Sequence, residues 1–111
     1  MAGAMQTQDP ANGFAVTRCT EILKALAHPT RFKIVMILRQ GDQTVKALAS
    51  MLALRQSIVS QQLAVLRMSR VVHCALENGC RKYAIAEKSV PAILNALSGD
   101  VAPSGRMKIL L

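Results

Sequence analysis

The sequence predicts a single, mostly helical domain completed by one β-hairpin, and three observations carry that expectation. Apolar residues make up 51% of the 111-residue chain but aromatics only 3%, so the core must be built from Leu, Ile, Val, Ala and Met, which suits packed helices. Apolar residues recur at three- and four-residue steps in successive segments, the period of an amphipathic helix. Asn78-Gly79 separates two short β-prone runs between Val71 and Ala86, the strongest two-residue signal for a type I′ hairpin.

Residues 1–13 are small and polar, broken by Pro10 and Gly13, and are read as a disordered arm outside the fold. From Phe14, the residues Val16, Cys19, Leu23 and Leu26, with Ile22 beside them, form one stripe of a helix that ends near Ala27. His28-Pro29 breaks the run, and Pro29 opens a second helix where its missing N–H costs nothing. Ile34, Val35, Ile37 and Leu38 supply its buried side, and Gly41 stops it. A third helix runs from about Thr44 to Leu52 with Val45, Leu48, Ala49 and Leu52 inward. After Ala53-Leu54-Arg55 a fourth begins near Gln56 and reaches Met68. Beyond the hairpin, Ser89 is expected to cap a last helix, with Pro91 in its first turn and Val90, Ile93, Leu94 and Leu97 on one face. The domain therefore spans 14–98 in the order α-α-α-α-β-β-α, followed by a tail over 99–111.

The net charge of +8 points to a polyanionic partner, with nucleic acid first and an anionic membrane surface second. The uncharged stretches are far shorter than the roughly 20 apolar residues of a membrane span, and the N-terminus lacks the basic and apolar regions of a leader. A cytoplasmic protein without a membrane partner is expected. Three cysteines, an odd and low count, fit reduced thiols better than a disulfide framework. So small and apolar a domain also leaves hydrophobic surface over, which a homodimer would absorb.

A helix pair joined by a tight link and followed at once by a hairpin is the winged helix-turn-helix arrangement, in which the second helix of the pair enters the major groove. Such a helix needs an apolar rear and a front of short or amide side chains able to approach base edges. Ile58, Val59, Leu63, Leu66 and Met68 are its apolar residues and suit the rear, and Gln56, Ser57, Ser60, Gln61 and Gln62 the front. Between Gln43 and Ala86 the basic residues Lys46, Arg55, Arg67, Arg70, Arg81 and Lys82 are set against Glu77 as the one acid, so the positive excess lies where phosphates would be. Asn78, at the hairpin tip, joins the candidate DNA-binding set. A polar helix face and a basic turn are each ordinary solvated surface when taken alone; only their succession along the chain gives them this reading.

Leu26-Ala27-His28-Pro29-Thr30-Arg31, with the Ile/Val/Leu helix after it, and Ser57-Ile58-Val59-Ser60-Gln61-Gln62-Leu63-Ala64-Val65-Leu66-Arg67 resemble the ArsR/SmtB family of bacterial repressors over about residues 15–97. The resemblance implies a dimer formed by the first and last helices and promoter binding relieved by an inducer. Val16, Leu23, Leu26, Ile93, Leu94 and Leu97 are the expected interface. Two positions depart from the family: Arg55 stands where a Ser usually caps the recognition helix, and Arg70 where Gly often follows it. Losing a Ser cap costs about 1 kcal/mol, and a non-Gly residue at positive φ a similar order.

The family's usual metal positions hold no ligands here: Val45 to Ala49 contains no thiol, and Ser89 to Leu97 no His, Asp, Glu or Cys. Neither a metal nor a cofactor is expected. Cys19, Cys74 and Cys80 remain as candidate sensors, acting by oxidation, persulfidation or soft-metalloid capture. Cys19, on the apolar stripe of the first helix, reads first as a small buried hydrophobe. A two-residue turn pairs Glu77 with Cys80 and Cys74 with Tyr83, placing the wing cysteines on opposite faces and arguing against a bond between them. Cys80 lies beside Arg81 and Lys82, charges that favour its thiolate. His28 reads as a turn residue that caps or packs, and His73 as a surface residue near phosphates.

The sequence thus predicts a sequence-specific repressor, not an enzyme, binding a pseudo-palindromic DNA operator as a homodimer. The chain carries no Gly-rich phosphate loop, no Ser/His/Asp set and no close carboxylate pair. The alternatives are a constitutive or architectural DNA binder without small-molecule sensing, and a winged-helix adaptor that binds protein.

Overall fold

The computed structural model describes residues 13–98, so the expected tail and the expected arm lie outside the described residues, except that Gly13, read as part of the arm, opens the first helix. The elements are α1 (Gly13–Leu26), α2 (Pro29–Leu38), α3 (Val45–Leu52), α4 (Gln56–Met68), β1 (Val72–Glu77), β2 (Cys80–Ile85) and α5 (Ser89–Leu97), in the order the sequence predicts.

Each boundary has a local cause. At the head of α2 the His28 ring accepts at Nδ1 from the backbone N–H groups of Thr30 (3.2 Å) and Arg31 (3.5 Å), while Pro29 occupies the first turn. His28 is thus the cap the sequence suggested. Thr44 caps α3, its Oγ1 accepting from Ala47 N–H at 3.1 Å. Helix α3 stops at Ala53, which adopts the left-handed conformation (φ 56°), and Leu54 N–H returns to Ala49 O at 3.0 Å. The same device ends α4: Arg70 has φ 60°, and Val71 N–H bonds Leu66 O at 2.9 Å. Asn78 and Gly79 both take positive φ (51° and 80°), as a type I′ turn demands.

The hairpin pairs Cys74 with Tyr83 and Glu77 with Cys80, the register the two-residue turn predicts. Gln43 adds a partner that periodicity does not reveal. Its N–H donates to Tyr83 O (3.1 Å) and its carbonyl accepts from Tyr83 N–H (2.7 Å), stitching the entry to α3 onto the base of the wing.

One core joins the elements, with Ile34 and Val35 of α2, Leu48 of α3, Val59, Leu63 and Leu66 of α4, Val71, and Val90 and Leu94 of α5 at its centre. From α1 it takes Ile22, Ala25 and Leu26. This corrects two interface expectations. Leu26 (6% exposed) and Leu94 (0%) fill the protomer's own core, because their helices turn those positions into the shared buried cluster rather than outward. Ile93 is half-buried against the same core, whereas Val16 (43%), Leu23 (53%) and Leu97 (55%) are exposed.

The start of α5 also differs from expectation. Ser89 is its first helical residue rather than its cap; the Glu87 carboxylate takes the capping role, with Oε2 accepting from Ser89 N–H at 3.3 Å and Ser89 Oγ at 2.9 Å.

Candidate nucleic-acid interface

Helix α4 is fastened from behind. Val59, Leu63 and Leu66, spaced four and three residues apart, are buried and hold the helix on α3 and the core. That register turns Gln56, Ser57, Ser60, Gln61 and Arg67 to solvent as one row, together with Ile58 and Met68, apolar residues expected at the rear. The row is rigid in backbone and short in side chain, the combination that lets hydroxyls and amides reach base edges.

Gln62 leaves the row. It is half-buried, and its Oε1 accepts from Arg31 Nη1 at 3.0 Å, while Arg31 Nε bonds Ala25 O at 2.7 Å. Its amide therefore braces α4 against α1 and α2 instead of facing outward, a correction to the sequence expectation. The cause is a helix position about 100° from Gln61, beside the seam with α2.

Positive charge frames the row. Lys46, Arg55, Arg67, Arg70 and Arg81 are exposed, as is Asn78 at the wing tip. Arg55 precedes α4 in extended conformation and makes no side-chain cap bond, in line with the missing Ser cap. Lys82 is less free than the sequence suggests, since its Nζ pairs with Glu77 Oε1 at 3.3 Å. Both partners are substantially exposed, so the pair is weak and open to exchange with a phosphate.

The three cysteines are free thiols in three settings. Cys19 is exposed on α1, which removes the buried-hydrophobe reading: the core takes Ile22, Ala25 and Leu26, and Cys19 falls on the side with Val16 and Leu23. Cys80 is exposed on the wing, and Cys74 is half-buried opposite Tyr83. Burial pushes the Tyr83 hydroxyl up, and the Cys74 thiol across the strand pair adds to the effect. Among the described residues no group of three or more His, Cys, Asp or Glu could hold a metal ion. His73 is exposed.

A residue the sequence did not single out sits behind the interface. Arg18 of α1 donates from Nη1 to Ser69 O at 2.7 Å, just past the end of α4, and from Nη2 to Glu87 Oε1 at 2.7 Å. Its hydrogen bond with Arg18, then those from Ser89, hold the Glu87 carboxyl below the usual carboxylate range, and Glu87 in turn holds the Arg18 guanidinium more firmly charged. No local signal marks Arg18, because these partners lie 51 and 69 residues away in sequence.

Residues 28–73, from the cap of α2 to the first residues of β1, match the profile of the bacterial regulatory protein, arsR family. The chain is 36% identical over 88 residues to the biofilm growth-associated repressor of Agrobacterium fabrum, covering 79% of this chain and 75% of that protein. Its fold is similar to that of the transcriptional repressor BigR from Xylella fastidiosa, with a TM-score of 0.70 at 30% identity over 86% of this chain and 93% of that one. It is also similar to reduced HlyU from Vibrio cholerae, with a TM-score of 0.74 at 29% identity over 81% and 95% of the two chains. A helix-turn-helix braced by a wing, an outward row of short polar side chains and this likeness together place the chain in the ArsR family of DNA-binding bacterial transcription regulators.

Proposed function

We propose that the protein is a cytoplasmic repressor that binds a pseudo-palindromic operator as a homodimer, each α4 lying in the major groove and each wing on the flanking backbone. The exposed row Gln56, Ser57, Ser60, Gln61 and Arg67 on a helix whose rear is buried carries this reading. Homodimeric pairing is supported by Val16 and Leu23 on α1 and Leu97 on α5, apolar side chains left in water by the single protomer. A two-fold dimer requires half-sites one helical turn, roughly 34 Å, or a multiple apart.

Release from DNA runs, in this proposal, through a thiol. Modification of Cys19 would add bulk to the apolar face of α1, and modification of Cys80 would set bulk or negative charge beside the wing's basic residues. A tenfold change in affinity needs only about 1.4 kcal/mol of differential binding, within reach of one modified side chain per protomer. Protection mapping on the protein's own upstream DNA, with the triple Cys→Ser variant beside the parent, tests both parts. A protected, two-fold stretch that the parent loses under oxidant, sulfane-sulfur donor or trivalent arsenic, and the variant keeps, is expected. Equal responses would remove the thiol step, and a parent that never responds would be a constitutive DNA-binding regulator.

A further inference from the structure

Helices α1 and α5, which carry the exposed apolar residues Val16, Leu23 and Leu97, meet the end of the DNA-reading helix at one side chain. Arg18 leaves α1 beneath its outward apolar face and reaches the turn after α4, where Nη1 donates to Ser69 O (2.7 Å) and Nη2 approaches Arg70 O (3.4 Å). The same Nη2 contacts Glu87 Oε1 at 2.7 Å, and Glu87 Oε2 holds the first amide of α5. Glu21, one turn along α1, lies 3.3 Å from Arg18 Nη1 and 3.9 Å from Arg70 Nη2, so both ends of the turn are tied to α1.

Three features suit a guanidinium to this place. The carbonyls after a helix lack intrahelical partners and carry the negative end of its dipole, so a cation is favoured there. A planar fork can serve two carbonyls and a carboxylate at once, which an ammonium cannot do with fixed geometry. The Arg18 and Glu87 side chains are only 21% and 22% exposed, so solvent screens the pair less than a surface ion pair.

We propose that Arg18 is a positioning residue for operator recognition: by clamping the end of α4 to the head of α5, it makes the pairing of α1 and α5 between subunits set the direction and spacing of the two recognition helices. The proposal rests on the dimeric DNA-binding reading above. Arg18 itself touches no DNA; its effect appears only when both half-sites must be met together.

The test compares Arg18→Met, Arg18→Lys and Glu87→Gln with the parent on two duplexes from the protected upstream stretch, one with both half-sites and one with a single half-site. Arg18→Met is expected to weaken binding to the two-half-site duplex about tenfold and to leave the single half-site nearly unchanged, with Arg18→Lys intermediate. Glu87→Gln supplies the sharper sign. It makes the protein more positive, so charge alone would tighten both duplexes, whereas loss of the clamp weakens the two-half-site complex. Amide exchange without DNA should rise at residues 66–71 and 87–90 in both Arg18 variants. Equal loss on the two duplexes, tighter two-half-site binding by Glu87→Gln, or parent-like exchange would each overturn the clamp. A parent without preference for the two-half-site duplex would instead overturn the reading beneath it, an outcome seen before any variant is tried. Should Arg18→Met not fold, Glu87→Gln decides alone.

Discussion

Helices α1 and α4 look alike as sequences, each an amphipathic run of 13 or 14 residues, yet they use their apolar residues differently. In α4 the buried positions Val59, Leu63 and Leu66 form one line, and the exposed surface mixes Gln56, Ser57, Ser60, Gln61 and Arg67 with Ile58, Val65 and Met68. In α1 there are two apolar faces: Ile22, Ala25 and Leu26 enter the core, while Val16 and Leu23 stay in water about a third of a turn away. A face that presents short hydroxyls, amides and basic side chains suits a charged, hydrated ligand such as DNA. A second apolar face suits another protein surface, because its exposure in a monomer has no return.

The sharpest break of this comparison is a charge placed on each kind of apolar position. Leu94→Glu would bury an unpaired carboxylate in the protomer's core and is expected to cost about 3–5 kcal/mol, abolishing the helical circular-dichroism signal at ordinary temperature. Leu23→Glu, on the outward face of α1, should keep the fold and yield monomers by sedimentation at micromolar concentration. A folded dimer with glutamate at position 23 would show that α1 is not the pairing face.

On the DNA side, Gln61→Ala should relax base preference at one position per half-site by about 1–3 kcal/mol of discrimination. Arg81→Ala should weaken all duplexes alike and lower the salt slope by about 1. Binding measured on a panel of single-base operator variants at several salt concentrations separates the two. An unchanged preferred site in Gln61→Ala would mean that α4 does not read the bases.

A smaller effect tests the tie between α1 and α5. The Glu87 carboxyl is held low by Arg18, so the folded state binds its proton less readily than the unfolded chain does. The resulting stability is fully present above the unfolded value of about 4.3 and is lost as pH falls through the depressed folded value. The melting temperature of Glu87→Gln should therefore lie below the parent's at pH 7, with the gap closing below about pH 4. A gap that keeps its full size as the solution is acidified would show that the carboxylate charge is not what Arg18 uses.

The smallest effect lies in the turn between α3 and α4. Ala53 holds φ 56°, a conformation that costs an L-residue about 1–2 kcal/mol and glycine almost nothing. Ala53→Gly is expected to raise stability by about 0.5–1 kcal/mol after glycine's greater unfolded-state entropy is counted, read as a higher denaturation midpoint at unchanged slope. A lowered midpoint would point to contacts of the Ala53 methyl that outweigh the strain.

Much of the architecture was legible in the sequence because its causes are local. Pro29 after His28, Thr44 before an apolar run and Asn78-Gly79 between β-prone segments each act within a few residues, and each marks an observed boundary or turn. Ser57 and Gln61 were legible for the same reason, since helical period alone puts them across the helix from Val59, Leu63 and Leu66. Gln62 was misplaced because its partner, Arg31, sits on another helix. Leu26 and Leu94 were misplaced because an apolar stripe states that a face will be covered without stating by what.

By itself, then, the sequence determined which segments are helices, where the wing turns and that Ser57 and Gln61 face away from the buried side of α4, all consequences of backbone preference and period. Only the tertiary structure decided which apolar face of α1 the core fills, that Gln43 bridges to Tyr83, and that Arg18 gathers the end of α4 and the head of α5. Those outcomes depend on partners 40 to 69 residues apart, whose meeting is set by the packing of whole helices and by the need of each shielded charge and carbonyl for a partner.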